Sequence, residues 1–138
     1  APGAAAAAEG PEVRNLFDAA KYGDMEAVED FLAIGRDVNS ADDEKRTPLH
    51  YACAYAHGDI ARLLMEEGAE LENKDSKGNT PLHYAAGYGR PGLVRLMLDA
   101  GSEKGAQNAN GKTAYDLVVA APQNPVNEDA ALLAALKP

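Results

Sequence analysis

Apolar residues recur at helical spacing in two stretches of the chain that lie 33 residues apart. The positions are Ile60, Leu63 and Leu64 in the first stretch, and Leu93, Leu96 and Met97 in the second. This i, i+3, i+4 pattern predicts amphipathic helices over 59–66 and 91–98. A glycine follows each helix in register, at Gly68 and Gly101, and an earlier copy stands at Gly35. Glycine readily adopts the left-handed conformation that often ends a helix, so the pattern predicts a repeating helical unit.

A shorter motif, Thr-Pro-Leu-His-Tyr-Ala, precedes each of these helices, beginning at Thr47 and again at Thr80. In each copy the threonine and proline begin a short inner helix, because proline fits a first turn whose N–H would have no partner. Degenerate copies extend the 33-residue period, one around Arg14 and one beginning at Thr113. The period predicts four helix-turn-helix repeats, at about 12–45, 46–78, 79–111 and 112–138.

A 33-residue period that carries Thr-Pro-Leu-His-x-Ala resembles the ankyrin repeat. The resemblance implies an all-α solenoid of four stacked repeats, with two typical central repeats and two degenerate caps. It also implies a chain that binds partners. We expect one ankyrin-repeat domain over 12–138, preceded by a disordered Ala-rich linker over 1–11.

Polar segments connect the repeats, and two details of them can be predicted. Gly78 suits the tip of a hairpin between the second and third repeats. Lys45 takes the corresponding place one repeat earlier, so we expect a less regular turn there. Near the C-terminus, Asn127 is expected to cap a final helix that contains Leu132 and Leu136.

The residues that could carry catalysis or bind a metal have structural explanations. Cys53 stands where the next repeat has Ala86, which predicts a small buried group, and a single cysteine excludes a disulfide framework. His50 and His83 belong to the repeat motif, and their imidazoles are expected to bridge backbone groups of adjacent repeats. Neither has companions at metal-ligand spacing. We therefore predict a non-enzymatic protein without a metal or cofactor.

The tyrosines give the most specific prediction of a binding surface. Tyr22, Tyr55 and Tyr88 each fall eight residues after the first residue of the repeat motif. Tyr51 and Tyr84 lie four residues before two of them, on the same helix face. Tyrosine offers a large amphipathic contact area at low entropic cost, so these five residues predict a concave face that binds a partner. For Tyr51 and Tyr84 the alternative is packing in a slot that leucine usually fills.

The charge distribution restricts the partner further. The formal net charge is −9, which argues against nucleic-acid binding. Residues 80–112 nevertheless hold two acids against four bases, whereas the rest of the chain is acidic. An anionic ligand would be expected at this third repeat, unless the difference is ordinary surface variation. No apolar run approaches the length of a transmembrane helix.

The sequence Ala-Ala-Gly-Tyr-Gly-Arg at 85–90, together with Ala-Cys-Ala-Tyr at 52–55, resembles plant cytosolic targeting factors for chloroplast outer-envelope proteins. The resemblance implies a C-terminal module that docks on the chloroplast surface while an upstream region holds hydrophobic cargo. Docking in that family involves phosphatidylglycerol and galactolipid head groups, and Tyr88 and Arg90 match its anionic-lipid site. Its galactolipid site uses a histidine and an acid, where this chain has Phe17 and Ser40.

Two functions remain open from the sequence. The first is a targeting or chaperone-like adaptor in the cytoplasm, with only peripheral contact to the chloroplast surface through anionic lipid and galactolipid head groups. The second is a protein–protein scaffold that grips a peptide or helix, which includes ankyrin-containing sorting factors of the chloroplast stroma.

Overall fold

The computed structural model describes residues 12–138, which form eight α-helices and no strand. The linker predicted for residues 1–11 lies outside the described residues. The helices in chain order are α1 (Leu16–Tyr22), α2 (Met25–Ala33), α3 (Pro48–Ala54), α4 (Gly58–Glu66), α5 (Pro81–Gly87), α6 (Pro91–Asp99), α7 (Ala114–Val119) and α8 (Ala130–Leu136). A short 3-10 helix, Pro125–Glu128, precedes α8. The all-α architecture predicted from the sequence is confirmed.

Each inner helix from the second repeat onward begins at a threonine that caps it. The side chains of Thr47, Thr80 and Thr113 accept hydrogen bonds from the backbone N–H three residues later. In return, the side chain at that third position accepts from the backbone N–H of the threonine. This reciprocal pair satisfies two of the four N–H groups that a helix start leaves without partners. Helices of six or seven residues therefore begin at a defined place.

The inner helices α1, α3, α5 and α7 pack side by side in one layer, and the second helices α2, α4, α6 and α8 form another. Small residues at the inner contacts allow the helices to approach closely; Ala52, Cys53 and Ala85 are fully buried. Larger residues such as Leu64 and Met97 fill the space between the layers and are equally inaccessible. Among residues 12–138 no helix is long and apolar enough to cross a membrane.

The connecting segments form hairpin fingers whose tips share one turn. Lys45, Gly78 and Gly111 all have a positive φ, of 61°, 77° and 73°. In each finger the tip N–H donates to the carbonyl oxygen three residues earlier at 2.9 Å. The prediction of a less regular turn at Lys45 is therefore wrong: the lysine accepts a left-handed conformation that glycine adopts more easily.

The C-terminal cap differs from the predicted one in one residue. Asp129 caps α8 by accepting from the N–H of Leu132 at 3.0 Å. Asn127 instead donates its side-chain amide to the carbonyl oxygens of Val118 and Ala121, each at 3.0 Å. The reason is the 3-10 helix, which places Asn127 beside the end of α7, where carbonyl groups need donors.

Candidate functional site

The motif histidines connect adjacent repeats, as their place in the motif predicts. The Thr47 N–H donates to Nδ1 of His50 at 3.0 Å, so the proton of the neutral ring lies on Nε2. Nε2 then donates to the carbonyl oxygen of Asn79 at 2.9 Å. His83 repeats the arrangement with the carbonyl oxygen of Lys112 at 2.8 Å. Burial lowers the pKa of both imidazoles, which favours the neutral form that this geometry requires.

Tyr51 and Tyr84 form an inner row of half-buried tyrosines, each bonded to a finger. The Tyr51 hydroxyl donates to the Asp42 carboxylate, and the Tyr84 hydroxyl donates to the Asp75 carboxylate. Burial and these hydrogen bonds raise the pKa of both phenols. The tyrosine in this slot therefore joins an inner helix to the finger beside it, which supports the structural alternative for both residues.

Tyr22, Tyr55 and Tyr88 form an outer row whose side chains are 44 %, 40 % and 56 % exposed. The rings of Tyr55 and Tyr88 lie 6.4 Å apart between centroids. Tyr88 also stacks on Tyr84 of the inner row, at 5.9 Å and an interplanar angle of 18°. The structure thus brings the two rows together in the third repeat.

A groove of about 690 Å³ lies beside this stacked pair. The inner helices form its floor, through Tyr84, Gly87 and Tyr88 of α5 and Leu117 of α7. Residues from two successive fingers form its wall, and charged side chains of both signs are among them: Glu44, Arg46, Asp75 and Lys77. The groove is open to solvent along its length and mixes aromatic, apolar and charged surface.

Basic side chains of the chain itself lie over the tyrosines of the first two repeats. Lys21 Nζ is 5.3 Å from the ring centroid of Tyr22 and 5.6 Å from that of Tyr55. Arg46 Cζ is 5.3 Å from the centroid of Tyr51. Arg46 also pairs with Asp42, Nε to Oδ2, at 3.1 Å. These distances fall within the range of cation–π attraction.

Arg90, the predicted partner of Tyr88 in an anion site, contacts the preceding repeat. Its Nε donates to the carbonyl oxygen of Ala54 at 2.9 Å, and the side chain is half-buried. His57 makes the same bond one repeat earlier, from Nε2 to the carbonyl oxygen of Lys21 at 2.9 Å. Arg90 is not part of the groove lining. The structure therefore gives Arg90 a role in holding repeats together and does not bring it into the groove with Tyr88.

The remaining candidate residues have no site around them in the described part of the chain. Phe17 packs against Tyr51 at 6.1 Å between centroids, and Ser40 is half-buried beside the first finger. Cys53 is fully buried, and burial raises the pKa of its thiol. Within residues 12–138 no group of histidine, cysteine and acidic side chains could hold a metal ion.

The finger residues of the groove were missed from the sequence, although part of a signal was present. Asp42 and Asp75 lie 33 residues apart, and each precedes its tyrosine by nine residues. That recurrence predicts a repeated contact between finger and helix. Glu44 and Lys77 show no such recurrence, because which finger residues face the groove depends on how the hairpins lean over the helices.

Comparison with known proteins agrees with this architecture. The family of ankyrin repeats (3 copies) matches residues 16–108, which is more than half of the chain. Ankyrin repeat domain-containing protein 7 from Homo sapiens is 40% identical over 57 residues, which cover 41% of this chain and 22% of that protein. Myotrophin from Xenopus tropicalis is 38% identical over 50 residues, covering 36% and 42%.

A third relative, protein phosphatase 1 regulatory subunit 27 from Homo sapiens, is 38% identical over 53 residues, covering 38% of this chain and 34% of that protein. Less than half the length of each of these three relatives is matched. The similarity is therefore to their repeats. Ankyrin repeats are binding modules for other proteins, built around an extended concave surface. The histidine bridges, the stacked helix pairs and the family match together show that this chain belongs to the ankyrin-repeat family.

Proposed function

We propose that this chain is the partner-binding module of a non-enzymatic adaptor, and that it grips a peptide segment or helix of another protein in the groove beside Tyr84 and Tyr88. The observation that carries the proposal is the stacked pair itself, which exposes an aromatic surface on the floor of a groove of about 690 Å³. Exposed aromatic surface of this kind is common at the centre of protein interfaces.

The tyrosine pair is held in place before any partner arrives. The Tyr84 hydroxyl is bonded to Asp75, whose Oδ1 also accepts from the backbone N–H groups of Lys77 and Asn79, each at 2.9 Å. Tyr88 then stacks on the fixed ring of Tyr84. A surface ordered in this way loses little side-chain entropy on binding, so more of the contact energy contributes to affinity.

Affinity capture tests this proposal with a matched pair of variants. Tagged wild-type protein should retain a specific protein from an extract of the cells that express it, identified by mass spectrometry. Tyr88→Ala should lower that capture at least about tenfold, as expected for truncation of a central aromatic contact. Ile34→Ala serves as the control, since Ile34 is 68 % exposed and lies outside the groove. Equal capture by both variants would refute the groove as the binding site.

A more specific role is our second candidate: docking of a cytoplasmic targeting adaptor, or alternatively a stromal sorting factor, on its membrane or cargo. Its support is the resemblance of residues 85–90 to targeting factors of the chloroplast outer envelope, together with the exposure of Tyr88 in the basic third repeat. In this role Tyr88 and Arg90 would contact phosphatidylglycerol, and galactolipid would bind nearby. The Nε of Arg90 is committed to Ala54, so an anion would be held by its terminal nitrogens.

Flotation with liposomes separates this role from protein binding alone. Vesicles that contain phosphatidylglycerol and galactolipid should carry the wild-type protein, whereas neutral phosphatidylcholine vesicles should not. Arg90→His is the informative variant, because His57 shows that histidine can make the bond to the preceding repeat. At pH 8 this variant keeps the fold contact and loses the charge, so flotation should fall. Unchanged flotation would exclude Arg90 as the lipid ligand.

A further inference from the structure

The aromatic surface of the third repeat differs from that of the first two in having no cation over it. In the first two repeats Lys21 covers Tyr22 and Tyr55, and Arg46 covers Tyr51. No lysine or arginine of residues 12–138 makes such a contact with Tyr84 or Tyr88. These two rings stack on each other, and Tyr88 is the most exposed of the outer row.

The repeat register explains why this surface is uncovered. Counting 33 residues on from Lys21 leads to Ala54, and 33 more lead to Gly87. Counting from Arg46 leads to Asn79. The positions that would supply a cation to the third repeat therefore carry a methyl group, a hydrogen and a neutral amide. Gly87 also lines the groove, so the missing side chain leaves room beside Tyr88.

The charges around the groove permit a cation from outside. None of the four bases of the third repeat lines it. Arg95 pairs with Asp129 at 2.6 Å, and Lys104 donates to the carbonyl oxygen of Ala135 at 3.2 Å, both at the C-terminal cap. Within the lining, Arg46 is paired with Asp42, which reduces its repulsion of a second cation. The exposed carboxylate of Glu44 belongs to the wall.

We propose that the Tyr84–Tyr88 surface binds an arginine side chain of the partner segment, in the position that Lys21 and Arg46 occupy over the tyrosines of the earlier repeats. Arginine suits the site because its planar guanidinium stacks on an aromatic ring and still donates hydrogen bonds at its edge. Glu44 is the acceptor on the groove wall. The acidic first and second repeats add attraction for a basic segment. The inference rests on the proposed function, because the arginine comes from a protein partner.

A small-molecule probe tests this chemistry without a known partner. N-acetyl-arginine amide is titrated into protein labelled with ¹³C-tyrosine, and N-acetyl-citrulline amide serves as the uncharged isostere. The tyrosine ring signals are followed by NMR and assigned with Tyr→Phe variants. We expect the Tyr84 and Tyr88 signals to move with arginine amide and citrulline amide to bind at least about threefold more weakly. The signals of Tyr22 and Tyr55 should move less.

Position 87 offers a gain of the chain's own cation. Gly87→Lys places a lysine in register with Lys21, and a Cβ at this position meets only Leu117 Cδ1, at 3.5 Å. The new amine should cover Tyr88 and weaken arginine amide binding several-fold. Gly87→Gln is the matched control, with a long neutral side chain, and should weaken it less. In the opposite direction, Lys21→Gln should uncover Tyr22 and Tyr55 and make their signals respond to the probe.

The outcomes separate this inference from the function on which it rests. Equal binding of arginine and citrulline amides, a uniform response of all tyrosines, or equal effects of Gly87→Lys and Gly87→Gln would each overturn the arginine assignment. If that happens while Tyr88→Ala still abolishes capture of a protein partner, the groove remains the binding site and only its ligand is misassigned.

Discussion

Single residues in this chain serve local and long-range structure at once. His50 accepts from the N–H of Thr47 at the start of its own helix and donates to Asn79 in the next repeat. Both bonds need the neutral ring with its proton on Nε2, because a protonated Nδ1 could no longer accept. The same is true of His83. Ionisation of these two residues should therefore loosen the stack.

We predict that the protein loses stability as the pH falls below the ordinary histidine pKa of about 6.5. Burial lowers the pKa of His50 and His83 in the folded state, so the unfolded chain binds more protons in this window. The loss cannot exceed about 1.4 kcal/mol per pH unit for each histidine. Urea unfolding at pH 7.5, 6.5 and 5.5 measures it, together with NMR titration of the two imidazoles. A flat stability curve with imidazole midpoints at or above 6.5 would contradict the prediction.

Two residues that adopt a left-handed backbone conformation predict stabilising substitutions. Lys45 and Ala56 have φ values of 61° and 64°, where other repeats place glycine. A side chain in this conformation costs about 1–2 kcal/mol, and glycine returns part of that gain through its greater freedom in the unfolded chain. Lys45→Gly and Ala56→Gly should each raise the free energy of unfolding by about 1 kcal/mol.

Chemical denaturation checks these values. Gly89→Ala is the reverse control and should destabilise, because a Cβ there would lie 2.7 Å from Pro125 Cδ. A loss of stability in both glycine variants would show that these two turns gain more from their side chains than the backbone geometry suggests.

At the scale of helices and fingers, a donor from each following repeat ties down the C-terminal end of an inner helix or a residue near it. His57, Arg90 and Asn124 donate to the carbonyl oxygens of Lys21, Ala54 and Ala86, and Asn124 stands one residue out of register. Carbonyl groups at a helix end have no partner within the helix, so an outside donor satisfies them. Three different residue types therefore perform one task.

This element-level contact predicts a graded series at position 90. Arg90→Leu removes the donor to the Ala54 carbonyl and should lower stability by about 1–2 kcal/mol. Arg90→His should lose less than half as much, since His57 makes the corresponding bond. Thermal or urea unfolding of the two variants measures the difference. Equal losses would mean that the guanidinium contributes through packing and not through its hydrogen bond.

The contrast between the motif histidines and Arg90 shows what the sequence could predict. The helices, the threonine caps, the helix-ending glycines and the histidine bridges follow from local rules and the 33-residue register, and the structure contains them. The donor to Ala54 could not be recognised, because histidine, arginine and asparagine share no pattern at that slot. The groove wall was equally hidden, since it depends on the lean of the fingers. The outer tyrosine row was found by register, but its stacking on Tyr84 needed the structure.

For the whole molecule, repetition creates a similar surface three times and differences between the copies make one place distinct. The outer tyrosine row runs along three repeats, yet the stacked pair, the groove and the small residue at position 87 coincide in the third. The surplus bases of that repeat include Arg95 and Lys104, which contact the C-terminal cap, so they do not decide what the groove accepts. Recognition is therefore expected to depend on the aromatic surface.

Site-specific photo-crosslinking at position 88 tests this central claim most directly. A benzophenone amino acid replaces Tyr88 in one protein and Ile34 in another, and both are irradiated in an extract of the cells that express the protein. We predict a protein adduct from position 88, mapping to one segment of one partner, and none of comparable yield from position 34. Equal adducts from both positions, or adducts at position 88 with lipid alone, would contradict a protein-binding groove at the third repeat.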